Sequence, residues 1–314
     1  MAYEGVGSDP VIAVLIPCFN EELTIGKVIR DFRRALPTAQ IYVYDNNSTD
    51  NTAAVAQNEG AIVVREARQG KGYVVQSMFM DIDADIYVMV DGDDTYPADR
   101  VAELIQPIRE SRADMVVGNR LVQYRDQSFR PLHVFGNRFV VWAVNRAFGS
   151  KVQDVMSGYR AFSPRLVRSV PIVSRGFEIE TELTLQALYR GLVTVEVPIP
   201  YGVRPEGSHS KLNTFRDGFR VLVSIVDIFK AYRPLLFFGC IGAILGVAGM
   251  VLGSIPLIEF AQTGKVLRFP TAFLAASLEV MALVSVACGV VLDSMNHHFR
   301  ELSHLLLKQD RPGK

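Results

Sequence analysis

The chain has 314 residues, with 33 basic and 33 acidic side chains and therefore no net formal charge. That balance supplies no global field for gathering a polyanion, and no nucleic-acid partner is expected. The three cysteines, Cys18, Cys240 and Cys288, form no spaced metal motif and no disulfide framework, so reduced thiols are expected.

Residues 11–16 are a continuous apolar run, read as a first buried strand that stops at Pro17. Residues 22–35 follow as a helix, with Ile25, Val28, Ile29 and Phe32 on one face. Residues 41–44 are a second strand, ending in Asp45-Asn46-Asn47-Ser48-Thr49-Asp50. Residues 49–58 read as a helix and 61–64 as a third strand. Gly70-Lys71-Gly72 opens the next helix, which runs to about Ile82. Residues 86–90 and 115–117 are a fourth and a fifth strand. This alternation predicts an α/β domain with a mostly parallel sheet covered on both faces.

The fourth strand delivers Asp91-Gly92-Asp93-Asp94 to the edge of that sheet. Open α/β sheets bind ligands outside the carboxyl ends of their strands. Hard carboxylate oxygens there suit Mg²⁺ or Mn²⁺, which grip substrate phosphates. An acidic turn that merely ends a strand would read the same way. Three further polar loops, around Pro17 to Glu22, Asp45 to Asp50 and Arg68 to Gly72, converge on the same edge and make a pocket for a nucleotide. The Gly70-Lys71-Gly72 turn lacks the spacing of a phosphate-binding P-loop, but Lys71 can neutralise a diphosphate. Glu178 and Glu182 share a helix face. They read either as donor-positioning groups or as acids favoured at a helix N-terminus.

Two late segments of the chain are apolar. Residues 234–258 carry no charge, and residues 269–292 carry only Glu279. A helix needs about 20 mostly apolar residues to cross a bilayer, and both segments qualify. Basic residues before the first segment and after the second place both termini in the cytoplasm. The expected layout is a cytosolic catalytic domain over 1–211, an amphipathic interfacial helix over 212–233, two membrane helices within 234–293 and a cytosolic tail over 294–314. A second amphipathic stretch, residues 135–148, is read either as interfacial or as packed on the domain. Glu279, in mid-span, is expected to have a structural or oligomer-contact role. Gly239, Gly242, Gly246 and Gly249 would permit close helix packing and a homo-oligomer.

Taken in order, the motifs resemble the family 2 glycosyltransferases of GT-A fold. They are Ile16-Pro17-Cys18-Phe19-Asn20-Glu21-Glu22, the Asp45–Thr52 run, Gly70-Lys71-Gly72, Asp91-Gly92-Asp93, Gly118-Asn119-Arg120, Asp154 to Phe162 and Gly207 to Leu212. With the apolar hairpin behind it, the set is similar to the polyprenyl- and dolichyl-phosphate sugar synthases. That resemblance implies an inverting, metal-dependent enzyme of the cytoplasmic membrane. It would move a sugar from a nucleotide diphosphate donor, UDP-linked in preference to GDP-mannose, to a polyprenyl or dolichyl phosphate. It also implies roles. Pro17, Asn20, Glu21, Glu22, Asp45 and Asn47 would line the nucleotide, and Lys71 and Gly92 the donor site. Asp91 and Asp93 would bind Mg²⁺ or Mn²⁺. Arg204, Ser210 and Lys211 would close over the diphosphate, and Arg120, Arg138 and Arg160 would hold the acceptor phosphate. Asp91, Asp93, Arg160 and Lys211 form the implied catalytic set.

The chain departs from the family pattern in two places. Asn46 and Asn47 stand where Asp-Gly is common, which removes a carboxylate near the base. Gly92 and Thr95-Tyr96-Pro97 differ from frequent Ala and Leu-Gln and read as a donor-specificity signal. Other readings are a family 2 enzyme with a different acceptor and a non-catalytic membrane scaffold. The intact acidic and basic motifs argue against the scaffold. The lack of a Gln-x-x-Arg-Trp signature argues against a polymerising enzyme.

Overall fold

The computed structural model describes residues 10–120, 141–142, 144–146, 148–176, 178–202, 205, 223, 226–227, 229–230 and 232–309. The chain divides into two compact units, residues 1–222 and 223–314.

The first unit is a seven-stranded sheet in the order β3-β2-β1-β4-β6-β5-β7. The strands are β1 (Ile12–Cys18), β2 (Gln40–Asp45), β3 (Ile62–Arg65), β4 (Ile86–Met89), β5 (Met115–Asn119), β6 (Arg160–Phe162) and β7 (Thr194–Pro198). β1 pairs in parallel with β2 on one side and β4 on the other, so the strand order reverses at β1. β6 runs antiparallel between β4 and β5. β5 is therefore parallel to β4, and β7 is parallel to β5. The carboxyl ends of β1, β2, β4, β5 and β7, and the amino end of β6, consequently share one edge. A crevice at such a reversal point is the ligand site of open α/β sheets.

The pleat of β1 sends alternate side chains to opposite faces. Ile12, Val14 and Ile16 join one core, and Ala13 and Leu15 join the other. The first core is closed by α1 (Ile25–Ala35), α2 (Thr52–Asn58) and α4 (Val101–Arg109), through residues such as Ile29, Ala56 and Leu104. The second is closed by α3 (Lys71–Asp81), α5 (Pro164–Ser169) and α6 (Ile179–Tyr189), through Met78, Leu166 and Leu183. The predicted helix starts run early by about a turn, for a local reason. Thr24 and Ile25 both donate their N–H to the Glu21 carbonyl, so residues 21–24 form a turn before α1. Asp50 accepts from the Thr52 N–H at 3.0 Å and sets the start of α2. The antiparallel β6 was not foreseen from the sequence. It has only three residues, and one of them is Arg160.

The second unit contains α7 (Pro234–Thr263) and α8 (Phe269–Gln309). Both are long and apolar enough to cross a membrane, with 11% and 22% of their apolar windows buried. Small residues let the two helices approach. A Cβ at Gly242 would lie 2.7 Å from Val286, and one at Gly249 would lie 2.7 Å from the Glu279 carboxylate. Glu279 thus lies over a glycine of the opposite helix. Gly239 has nothing within 4 Å of a built Cβ, so it is not needed for this contact. Ser285 Oγ donates to the Phe238 carbonyl at 2.9 Å across the pair. Gly264, at φ 67°, ends α7 in the left-handed conformation that glycine adopts without penalty. α8 continues beyond the expected span through residues 293–309.

Candidate functional site

The acidic end of β4 is organised by a lysine. Lys71, the first residue of α3, places Nζ 2.5 Å from Asp91 Oδ1 and 2.5 Å from Glu180 Oε1. Glu180 is buried, Lys71 is nearly so with 10% of its side chain exposed, and Asp91 is partly open. Burial alone would lower the Lys71 pKa. The charges of Asp91 and Glu180 outweigh burial and hold it above the ordinary lysine value. Asp91 lies directly on the backbone of Gly158, where any Cβ would overlap its carboxylate. Asp93 is buried, and its Oδ1 accepts from Thr95 N at 3.2 Å and Thr95 Oγ1 at 2.5 Å.

Gly70 and Gly72 flank Lys71 because a strap, residues 171–176, crosses them. Side chains at either position would run into the carbonyls of Arg175 and Ser174. Gly70 also has φ 139°, which L side chains rarely adopt. The strap is held by the acids of α6 and its first turn. Glu182 accepts from Val173 N and from Ser174 N at 2.8 Å, and Glu178 accepts from Arg175 N and Gly176 N. Glu178 and Glu182 thus serve the backbone of this strap, and Glu180 between them serves Lys71.

On the other side of β1, Asp45 ends β2 in register with Cys18. Its Oδ2 accepts from Ser48 N at 3.3 Å. Its Oδ1 is buried and has no hydrogen-bond partner among the described residues. A buried carboxylate oxygen without a donor is costly, and a ligand N–H or O–H would satisfy it. The neighbouring loop residues brace one another. Asn20, at φ 53°, accepts through Oδ1 from Thr49 N at 2.7 Å. Glu21 N donates to Thr52 Oγ1, and Glu22 accepts from Asn51 N. Asn47, at φ 62°, donates to the Ala67 carbonyl. Pro17 is the β1 residue opposite Tyr44.

Asn46 is held by the backbone of the β3–α3 loop. Its Nδ2 donates to the carbonyls of Glu66 (3.0 Å) and Arg68 (2.8 Å), and its Oδ1 accepts from Gly70 N (2.7 Å). An aspartate could not donate to either carbonyl. Asn46→Asp is therefore expected to destabilise the catalytic unit by about 2 kcal/mol, through unpaired buried groups, and to loosen the Lys71 turn. A melting curve checks this, and an unchanged melting temperature would contradict it. Gly92 has a packing reason of its own, since a Cβ there would lie 2.7 Å from Cys18 Sγ.

The basic residues separate into two kinds. Arg120 follows β5, and Asp154 grips it in bidentate fashion, with Nε to Oδ2 at 2.9 Å and Nη2 to Oδ1 at 3.2 Å. Its guanidinium also lies over the Tyr201 ring at 5.5 Å. Burial works against its charge, and the Asp154 carboxylate that grips it more than offsets this. Arg160 is different and corrects an expectation. It is 0% exposed, with Nε to the Ser157 carbonyl, Nη2 to the Val155 carbonyl and Nη1 to Thr184 Oγ1. Every nitrogen of its guanidinium is spent on the loop that carries Gly158 and on α6, so Arg160 shapes the site from behind and is not placed to grip an acceptor phosphate. Arg138, Arg204, Ser210 and Lys211 lie outside the described residues, as do most of the predicted interfacial helix and Phe135 and Phe139 of the other amphipathic stretch.

Asp91 and Asp93 supply hard oxygens at one strand end. Among the described residues no group of three or more His, Cys, Asp or Glu side chains could cage a metal. Two carboxylates fit a cation that takes its other ligands from phosphates and water.

Residues 13–170 match the family model described as Glycosyl transferase family 2. The chain belongs to this family. It is 34% identical over 305 residues to glycosyltransferase AglJ of Haloferax volcanii, covering 96% of this chain and 95% of that one. It is 30% identical over 217 residues to the dolichyl-phosphate hexose transferase of the same organism, covering 69% and 93%. Among solved structures it resembles glucosyl-3-phosphoglycerate synthase from Mycobacterium tuberculosis in complex with Mn²⁺, UDP-glucose and phosphoglyceric acid. There the TM-score is 0.59 and the identity 23%, over 70% of this chain and 80% of that one. The fold is thus that of the GT-A glycosyltransferases, and the protein is a glycosyltransferase.

Proposed function

We propose that this glycosyltransferase moves a hexose from a nucleoside diphosphate donor, UDP-linked in preference to GDP-linked, to the phosphate of a polyprenyl or dolichyl phosphate. The observation that carries this reading is a meeting on one sheet edge. A paired-carboxylate strand end (Asp91, Asp93, after β4) shares that edge with a guanidinium (Arg120, after β5) that a buried carboxylate fixes in bidentate fashion, with β6 between the two strands. The first suits a sugar diphosphate and the second a phosphate acceptor. The unsatisfied Asp45 Oδ1 gives the nucleoside a docking point on the other side of β1. The dolichyl-phosphate hexose transferase among its relatives and the two long apolar helices support a lipid acceptor.

In this reading an acceptor phosphate oxygen attacks the anomeric carbon. The bond from that carbon to the diphosphate oxygen breaks, its electron pair leaves with the nucleoside diphosphate, and configuration inverts. A phosphate is already ionised at neutral pH, so no strong general base is needed. Arg120 orients the acceptor, with Asp154 fixing its plane. Lys71 holds the Asp91 carboxylate in place. A Mg²⁺ or Mn²⁺ ion, when held by Asp91 and Asp93, would neutralise charge on the departing diphosphate. Arg204 and Lys211 are proposed to assist there. The two apolar helices would tether the catalytic unit to the cytosolic face of the membrane, with both termini in the cytosol, turning the search for a lipid headgroup into a surface encounter.

The test is a donor panel with undecaprenyl and dolichyl phosphate, in detergent, with Mg²⁺, Mn²⁺ or chelator. A chelator-sensitive lipid-linked sugar from one donor is the expected result. Nucleotide binding without transfer to either lipid would overturn the acceptor assignment. In the same assay Arg120→Lys should raise KM for the lipid phosphate about 10-fold while donor affinity holds, because one ammonium cannot keep the two-point hold on Asp154 and also offer the phosphate an N–H fixed in direction. A KM that does not move would take Arg120 out of the acceptor site.

A further inference from the structure

Glu180 is a buried carboxylate that none of the chemistry above uses. Its described side-chain bond is to Lys71 Nζ at 2.5 Å, which lies equally close to Asp91 Oδ1. A buried carboxylate is costly unless it is paired. Pairing alone does not explain this one, since Asp91 by itself would already partner Lys71. The strap across Gly70 and Gly72, clamped by Glu178 and Glu182, fixes the turn that carries Lys71. The ammonium is thereby held between two carboxylates and its charge is divided between them.

We propose that Glu180 is a charge-setting positioning residue for the Asp91/Asp93 site. By engaging Lys71 from the inner side it keeps that ammonium from cancelling Asp91, so that Asp91, Asp93, Glu180 and Lys71 together present two net negative charges, the complement of a divalent cation. Without Glu180 the same group presents one, and Lys71 competes with the cation for Asp91. Arg160, whose guanidinium bonds Thr184 one turn further along α6, adds the same field with or without the Glu180 charge and leaves the comparison intact. The inference rests on the metal assignment of the proposed function.

That arrangement predicts opposite signs for two substitutions. Mn²⁺ binding is measured on the full chain in detergent by electron paramagnetic resonance, with Mn²⁺ alone and with Mn²⁺ plus UDP or GDP. The melting temperature of each metal-free protein is recorded alongside. Glu180→Gln, which keeps the shape and removes the charge, should weaken Mn²⁺ binding about 10-fold. Lys71→Met, which removes the competing cation, should tighten Mn²⁺ binding even as turnover falls. Glu180→Asp, which keeps the charge, should stay within about 3-fold of the parent. Weakening by both Glu180→Gln and Lys71→Met would mean that the pair is only structural, and unchanged binding in Glu180→Gln would remove its electrostatic role. Either outcome overturns the inference while the metal site stands. If the parent protein binds no Mn²⁺, or Asp93→Asn binds it as well as the parent does, the metal assignment fails and this inference falls with it.

Discussion

Asp93→Asn will cut sugar transfer by about 10³-fold without unfolding the protein. The retained stability follows from geometry. Asp93 uses Oδ1 to accept from Thr95 N and Thr95 Oγ1 inside a turn that also holds Asp94 at φ 60°. An asparagine oxygen can accept both bonds in the same geometry, each weaker for the lost charge. What changes is the charge at the β4 end, where one of two carboxylates becomes a neutral amide. A diphosphate that gains negative charge as it departs then loses several kcal/mol of stabilisation, and each 1.36 kcal/mol is a factor of about ten. Asp93→Ala should be equally inactive and also less stable, because the Thr95 bonds disappear. Turnover by chelator-sensitive assay and melting temperature separate the two substitutions. Parent-like transfer by Asp93→Asn would remove Asp93 from the chemistry.

The parts of this site that were legible in the sequence are those with local signatures. Strands β1 to β5 are apolar runs that end in polar clusters. Asp45, Asp91, Asp93 and Arg120 fall where those runs stop and Lys71 in the loop after β3; parallel pairing brings all but Arg120 to one edge, and the antiparallel β6 between β4 and β5 brings Arg120 there. What was not legible depends on distant partners. Glu180 acquires its place from Lys71, 109 residues away in sequence. α6 gave no amphipathic signal because it is buried on every side. Its polar residues, Glu180, Thr181, Glu182, Thr184 and Gln186, are each 5% exposed or less. Gln186, for instance, donates to the Pro171 carbonyl of the strap and to Glu182. Asn46 likewise looks like a lost base contact in the sequence. In the structure it is the bolt between the β2 loop and the Lys71 turn, because only an amide can donate to two carbonyls while accepting from Gly70 N.

Arg160 shows how the two views lead to different experiments. The family resemblance implies an acceptor ligand at Arg160, and then Arg160→Ala should raise KM for the lipid phosphate at unchanged stability. The structure predicts otherwise. Removing this side chain leaves the Val155 and Ser157 carbonyls without their described side-chain donor, opens a cavity between β6 and α6, and takes a cation from beside Glu180. Burial already disfavours the Arg160 charge and pulls its pKa below the usual arginine value, so losing the charge recovers part of the cost. The net penalty for breaking such a buried network is about 3 kcal/mol. In a unit of this size that is a melting-temperature fall of about 10 °C. Arg160→Lys should fall in between, since one ammonium cannot reach Val155 O, Ser157 O and Thr184 Oγ1 together. Activity should drop in proportion, because the same loop brings Gly158 against Asp91. The deciding readout is stability against KM. A stable Arg160→Ala protein with a raised KM for lipid phosphate alone would restore the acceptor role. A destabilised protein whose remaining folded fraction loses donor and acceptor use together would establish Arg160 as the internal strut of the site.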